Sequence, residues 1–403
     1  MVEERPRRVA AGRRALLLPV YVPTMLLALG QGLLVPTLPF YARDFGVSFA
    51  AAGLVLAAAG IGTMVADVPA GILLGRLGLK PTMLLGAGLV VASTFALALA
   101  SVFPELIVYR LLAGVGTAMW GLSRHAFITE TIDPRERGRA ISMFGGINRI
   151  GMFGGPALGG LIGSQLGLTS SFYLAGALGA VAFVVSLIYI TDTRVQTHSE
   201  RHVRWGLVRA MIRTNWRDLS AAGVAQTFGQ MIRAGRQTII PFYGEAVLGL
   251  SVAEVGLIQS ASATVDMLLF VPAGLIMDRY GRKVAAVPSF AIMAIGMALI
   301  PFTTGFGTMV GAAMLIGLGN GLGSGIMMTL GADLAPRGAT GEFLGIWRLI
   351  GDTGQASGPL VIGTLTDVLG HEESAFVLSG VGFAAALILA LMVKETRLPP
   401  VPP

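Results

Sequence analysis

The chain has 403 residues, 54% hydrophobic and 13% charged, with a formal net charge of +7, and its mean hydropathy is +0.74. Soluble domains carry roughly 25% charged residues, so the two or three soluble domains that length alone allows are excluded. Cysteine is absent, which removes disulfides, thiolate metal sites and a cysteine nucleophile, and four scattered histidines form no metal-ligand cluster.

Residues 1–14 form a polar tail with five arginines. Twelve apolar runs follow, at about 15–40, 48–73, 81–102, 104–130, 140–163, 170–191, 218–243, 251–276, 284–303, 307–331, 342–364 and 374–393. Each is near or above the ~20 residues that cross ~30 Å of hydrocarbon. No water reaches backbone groups there, so each run is expected as a helix. The first run is too long for a signal peptide. The expected architecture is an all-α membrane protein with twelve transmembrane helices in two pseudo-symmetric six-helix bundles, 15–191 and 218–393. Segment 192–217 joins the bundles and 394–403 forms a second tail. In the joining segment Arg201, Arg204, Arg209, Arg213 and Arg217 alternate with Trp205, Val208, Ile212 and Trp216. That pattern suits a helix lying at the membrane surface, read here as a tether between the bundles.

Lysine and arginine set the orientation. With the first tail inside, 22 of the 29 fall in inside segments and only Arg43 in an outside loop. Both tails are therefore expected in the cytoplasm of a cell membrane. The basic charge faces anionic lipid, which explains the pI near 10.1 without a nucleic-acid partner.

Six arginines remain within apolar runs: Arg110, Arg124, Arg149, Arg233, Arg236 and Arg348. Asp67, Asp266 and Asp352 are embedded acids. Ionisable groups inside a membrane are costly and face protein or a water-filled cavity. Helices 3, 6, 9 and 12 carry none; helices 1 and 10 contribute Gln31 and Asn320 instead. A period of three in helix number implies that every third helix faces lipid, as in a transporter built from three-helix units. On helix 7, Gln226, Gln230, Arg233 and Gln237 share one face, with Arg236 beside them. This stripe either lines a cavity or bonds neighbouring helices. Trp120 joins these as a cavity candidate.

A thirteen-residue stretch, VPAGLIMDRYGRK at 271–283, has a partner VPAGILLGRLGLK at 68–80. The second resembles the signature loop of the major facilitator superfamily through Gly274, Asp278, Arg279, Gly281, Arg282 and Lys283. The first keeps Gly71, Arg76, Gly78 and Lys80 but has Gly75 for the acid and Leu79 for an arginine. Helix 5 carries Gly151, Gly155, Pro156, Gly159 and Gly160, similar to the antiporter pattern of the twelve-span drug–proton antiporters of that superfamily. The glycine-rich run 317–325 lies inside an apolar run with no strand before it, which excludes a phosphate loop.

The resemblance implies alternating access by two halves rocking about a midplane site, no cofactor beyond a proton as coupling ion, and one chain as the transport unit. It implies export of hydrophobic or amphiphilic small molecules; a proton-coupled importer and a lipid flippase are the alternatives, and an enzyme is not expected. In that fold helices 2 and 11 meet across the halves, as do 5 and 8. Asp67 and Arg348 lie ~10 Å deep and Arg149 and Asp266 ~15 Å, at 1.5 Å per residue. The expected pairs are Asp67–Arg348 and Arg149–Asp266, against an alternative within helix 11, where Arg348 and Asp352 are four apart. Burial favours a protonated carboxyl and a nearby guanidinium the ionised one, so making and breaking such a pair moves a proton; Asp266 and Asp352 are the candidates. Arg110 resembles the helix-4 arginine that the family links to proton transfer; a bond to helix 1 carbonyls near Pro36 is its structural alternative. Because arginine outnumbers acid, neutral, zwitterionic or anionic amphiphiles are favoured over strongly cationic ones.

Overall fold

The computed structural model describes residues 16–132, 137–190, 209–210, 212–213, 216–336 and 339–396. Most of segment 192–217, expected as an interfacial helix, and the tail 1–14 lie outside the described residues. Twelve long helices are present among the described ones. The first half holds α1 Val22–Asp44, α2 Phe49–Leu77, α3 Leu79–Ala98, α4 Phe103–Thr131, α5 Arg137–Leu166 and α6 Leu168–Tyr189. The second holds α7 Trp216–Ala246, α8 Val252–Tyr280, α9 Arg282–Leu299, α10a Phe306–Leu322 with α10b Ile326–Leu334, α11 Thr340–Val368 and α12 His371–Leu391. Nine are long and apolar enough to cross a membrane. The other three, α5, α7 and α11, carry Arg149, the Arg233/Arg236 pair and Arg348 with Asp352.

The local sequence explains the ends. Ser48 accepts from the Ala51 N–H to start α2, and Ser251 with Glu254 forms a capping box at α8. Gly78 and Gly281 separate α2 from α3 and α8 from α9 with φ of 91° and 115°, a backbone that residues with a Cβ rarely adopt. The same turn therefore serves both copies of the repeated loop.

The packing repeats with an offset of six helices. In the first half α1 packs on α5 and α6, α2 on α4, and α3 on α4 and α6. In the second, α7 packs on α11 and α12, α8 on α10a, and α9 on α10a and α12. Across the halves the principal contacts are α2 with α11 and α5 with α8. Helices α3, α6, α9 and α12 make their principal contacts within their own half. They expose apolar chains such as Val184, Ile188, Phe383 and Leu387.

The seam between the halves is lopsided. On the side of the 45–48 turn, Gly53 of α2 meets the Pro359 carbonyl, and Gly363 of α11 meets Phe49. Gly160 of α5 meets Val252, and Gly256 of α8 meets Pro156. Ser260 accepts from the Ala157 N–H at 2.9 Å and donates to the Phe153 carbonyl at 2.8 Å. Asp367 accepts from the N–H groups of Phe49 and Ala50 at 3.0 and 2.7 Å, capping the start of α2 from the opposite half. Towards the repeated loops, Gly71, Gly145, Gly146, Gly274, Gly341 and Gly345 meet no atom of the other half within 4 Å. The molecule is closed at the turn side and splayed at the loop side.

One expected run is divided. The run 307–331 breaks between Leu322 and Ile326, where Gly325 has φ of 76°. Three glycines in the stretch 321–325 remove the Cβ atoms that favour helix and permit the left-handed step.

Candidate functional site

Two adjoining cavities lie between the halves. The larger, about 340 Å³, is lined by Gln31, Thr63, Thr94, Arg110, Thr117 and Gln355 among apolar neighbours. The smaller, about 80 Å³, is lined by Arg149, Arg236, Gln259, Ser262 and Asp266. Val35, Met152 and Gln237 belong to both walls. Helices α1, α2, α4, α5, α7, α8 and α11 all contribute, so the pair sits at the meeting point of the halves.

Asp266 is the hub of the smaller cavity. One carboxylate oxygen accepts from Arg149 at 2.9 Å, across the halves. The other accepts from the Asn320 amide at 2.6 Å and lies 3.7 Å from Arg236. Arg149 also donates to Ser324 and lies 4.6 Å from the Phe270 ring centre. Arg233 donates to the Gly323 carbonyl at 2.7 Å and lies 5.3 Å from the Phe290 ring centre. The interruption of α10 is thus held by two arginines, one from each half: Arg233 takes a carbonyl at the break, and Arg149 takes the neighbouring hydroxyl. Two unit charges 4 Å apart interact by about 4 kcal/mol at an effective dielectric near 20. One carboxylate therefore balances about one guanidinium, and the cluster keeps surplus positive charge.

Nearer the loops, Arg348 lies 3.9 Å from Asp67 of the other half and 3.6 Å from Asp352 on its own helix. The two pairings posed as alternatives coexist. The Arg348 side chain is 47% exposed, so neither contact is strong. Arg124 lies over Phe144 at 3.8 Å.

Several expected residues stand elsewhere. Trp120 lines neither cavity; it is 4% exposed in an apolar cluster with Leu16, Leu79, Met83 and Phe127. Its face of α4 is pressed against α3, where Gly86 meets the Trp120 backbone. The polar stripe of helix 7 is divided among tasks. Gln226 and Gln230 pack on Gly351 of α11, and Arg233 bonds the α10 break. Arg236 and Gln237 line cavity walls. Asn320 acts on Asp266. Arg110 makes no bond to α1 carbonyls near Pro36 among the described residues; its Nε is buried without a partner.

The helix-5 glycine pattern has two working faces. Gly151 meets Ala28 and Leu29, Gly155 meets Gly32, and Gly159 meets Leu33, all on α1. Pro156 and Gly160 face α8 across the seam. In the second signature loop, Arg282 bonds Asp333 at 2.9 Å and lies 3.6 Å from Asp278. The backbone N–H groups of Arg282 and Lys283 donate to Glu395, and the Lys283 ammonium donates to the Ala390 carbonyl. Arg279 lies 5.5 Å from the Tyr280 ring centre. In the first copy Leu79 stands where Arg282 stands and is fully buried, so an apolar plug replaces the polar latch; Arg76 is exposed.

Sequence reasoning missed Thr63, Thr94, Thr117, Gln259, Gln355 and Asp367. The threonine hydroxyls bond carbonyls of their own helices at 2.7–3.0 Å and so pass as ordinary helix residues. The glutamines at 259 and 355 are the one signal that was there to find: uncharged polar side chains inside apolar runs.

No group of three or more His, Asp or Glu among the described residues is placed to hold a metal ion. The sequence profile of the Major Facilitator Superfamily matches residues 21–243 and 227–403. An uncharacterized MFS-type transporter of Methanocaldococcus jannaschii is 22% identical over 354 residues, 87% of this chain and 91% of that one. The quinolone resistance protein NorA of Staphylococcus aureus is 29% identical over 180 residues, 45% of this chain and 46% of that one, so this match spans about half of each. Among solved structures, the nucleoside transporter NupG superposes with a TM-score of 0.78 at 16% identity, covering 94% of this chain and 99% of that one.

Proposed function

The chain belongs to the major facilitator superfamily, a transporter and not an enzyme, and from that premise we propose that it exports hydrophobic or amphiphilic small molecules in exchange for protons. The observation that carries this reading is the cavity pair between two halves that close on one side only. A molecule entering from the splayed side meets apolar walls with a few polar groups, the usual make-up of a small-molecule site. The partial likeness to a quinolone resistance protein and the helix-5 glycine pattern both favour export. The lysine and arginine distribution supports a cell-membrane protein with both termini in the cytoplasm; the splayed side is then the cytoplasmic one, and uptake begins from inside. That both cavities are lined by one chain supports a single chain as the transport unit.

Proton exchange rests on Asp266. Its carboxylate holds Arg149 of the other half, so protonating it releases the ion pair across the smaller cavity, and ionising it restores that pair. Asp352, bound to Arg348, is the second candidate. The test is direct. Purified protein is placed in liposomes loaded with a fluorescent amphiphile, and a pH step of one unit is imposed in each direction. Efflux that accelerates when the opposite compartment is acidified supports exchange. Flux indifferent to the step removes proton coupling, and flux accelerated by protons moving with the amphiphile makes the protein a symporter.

A further inference from the structure

We infer that the transported molecule carries a negative charge and that Arg110 is its anchor. This rests on the reading of the larger cavity as the substrate path. Among the described residues Arg110 is the one charged residue in its lining, and no carboxylate contributes to that wall. The other embedded arginines all have company. Arg149 and Arg236 share Asp266, Arg233 holds the Gly323 carbonyl, Arg348 lies between Asp67 and Asp352, and Arg124 covers Phe144. Arg110 has no hydrogen-bond or ion-pair partner among the described residues, and its Nε is buried without an acceptor.

A guanidinium whose Nε has left water without a compensating bond is unfavourable, and its charge in a largely apolar wall has no ionic partner to offset it. A carboxylate, sulfonate or phosphate answers this with two parallel charge-assisted bonds to the planar fork. A cationic ligand does the opposite: it brings a second positive charge to a wall that holds one already. The adjoining cavity offers a cation little help, because its single acid is engaged by Arg149, Asn320 and Arg236.

The remaining wall defines the rest of the ligand. The hydroxyl protons of Thr63, Thr94 and Thr117 are spent on main-chain carbonyls, which leaves their oxygens as acceptors. Gln31 and Gln355 offer both donors and acceptors. The cavity otherwise presents apolar chains such as Leu34, Val35, Leu56 and Met152. The class is an amphiphilic organic anion: one acidic group, an apolar body, and room for a hydroxyl or amide donor.

The test uses three probes on one ring system: a naphthyl sulfonate, a naphthyl trimethylammonium and an uncharged naphthyl sulfonamide. Binding to the full chain in lipid nanodiscs is measured by calorimetry. The sulfonate is expected to bind at least tenfold tighter than the cation. Arg110→Gln should lose at least tenfold for the sulfonate and under threefold for the sulfonamide. Arg110→Lys should retain most of the preference, and Arg110→Glu should reverse it. A cation bound as tightly as the sulfonate, or an unchanged ratio in Arg110→Gln, overturns the inference. If Arg110→Gln fails to fold, the wild-type ratio and Arg110→Lys decide. A sulfonamide that binds without any charge preference in the series sinks the anion anchor alone. Failure of all three probes to bind overturns the cavity reading and the anchor with it.

Discussion

Asp367, at the end of α11, accepts hydrogen bonds from the backbone of Phe49 and its neighbour Ala50 at the start of α2, although 318 residues separate Asp367 from Phe49. A helix start has unsatisfied N–H groups and a partial positive charge. Here Ser48 takes the Ala51 N–H locally and a side chain of the opposite half takes the two N–H groups before it, so those two bonds exist only while the turn side is closed.

Asp367→Asn should therefore loosen that closure. A cap of this kind contributes about 1 kcal/mol, and the asparagine keeps one acceptor while losing the charge. The chain has no cysteine, so a single cysteine introduced on the cavity wall reports opening without further engineering. Its alkylation from the turn side should rise severalfold in Asp367→Asn. An unchanged rate would mean that the glycine contacts of the seam hold the closure alone.

Arg149 and Asp266 make the close ion pair across the smaller cavity. Arg149→Gln and Asp266→Asn should each reduce transport at least tenfold. The exchange Arg149→Asp with Asp266→Arg should recover a substantial fraction. Recovery will be incomplete, because Asn320 and Arg236 face a carboxylate at position 266 and would then face a guanidinium. Initial rates in proteoliposomes decide this, and a double exchange no better than either single change would reduce the pair to a packing detail.

The Asp67–Arg348 contact should matter far less. Exposed pairs contribute 0 to about 1 kcal/mol, and this one is long, at 3.9 Å. Asp67→Asn is expected to move the thermal midpoint by about 2 °C or less and to leave the transport rate within threefold. A tenfold loss would show that this contact tightens in another state of the cycle.

The two signature loops predict opposite outcomes for paired changes. Leu79→Arg places a charge in a fully buried apolar position and should destabilise the protein by several kcal/mol. Arg282→Leu removes a bond to Asp333 that lies at the edge of the helices, and should cost about 1 kcal/mol of stability, while Asp333 keeps its bond from the Thr396 hydroxyl. Restoring only the acid, with Gly75→Asp, should change little, since no guanidinium awaits it at position 79. Thermal unfolding in detergent compares all three.

Much of the architecture was legible because a membrane constrains sequence so tightly. Runs of uncharged residues marked the helices, and embedded charges separated inward helices from outward ones. The pairing of residues 149 and 266 followed from depth and fold. Trp120 was misread, because α4 carries charges and glycines on more than one face and an aromatic ring gives no sign of which neighbour it meets. The helix-7 stripe was found as a stripe, yet its residues turn to three different partners, which depends on where α10 and α11 lie. The cap at Phe49 left no pattern at all, since an aspartate near the end of a run looks like any loop residue.

The tightest backbone approaches between the halves are at Gly53, Pro359, Gly363, Pro156, Gly160 and Gly256. None of these has a side-chain rotamer to select. Immobilising a flexible side chain on contact costs about 0.5–1.5 kcal/mol each, and these six positions are spared it. At these points the surfaces can part and rejoin without freezing torsions, so the seam behaves as a bearing more than as a glue. The relative population of its two positions is then left to a handful of polar contacts and to the occupant of the cavity, which is where a machine driven by its cargo needs control to reside.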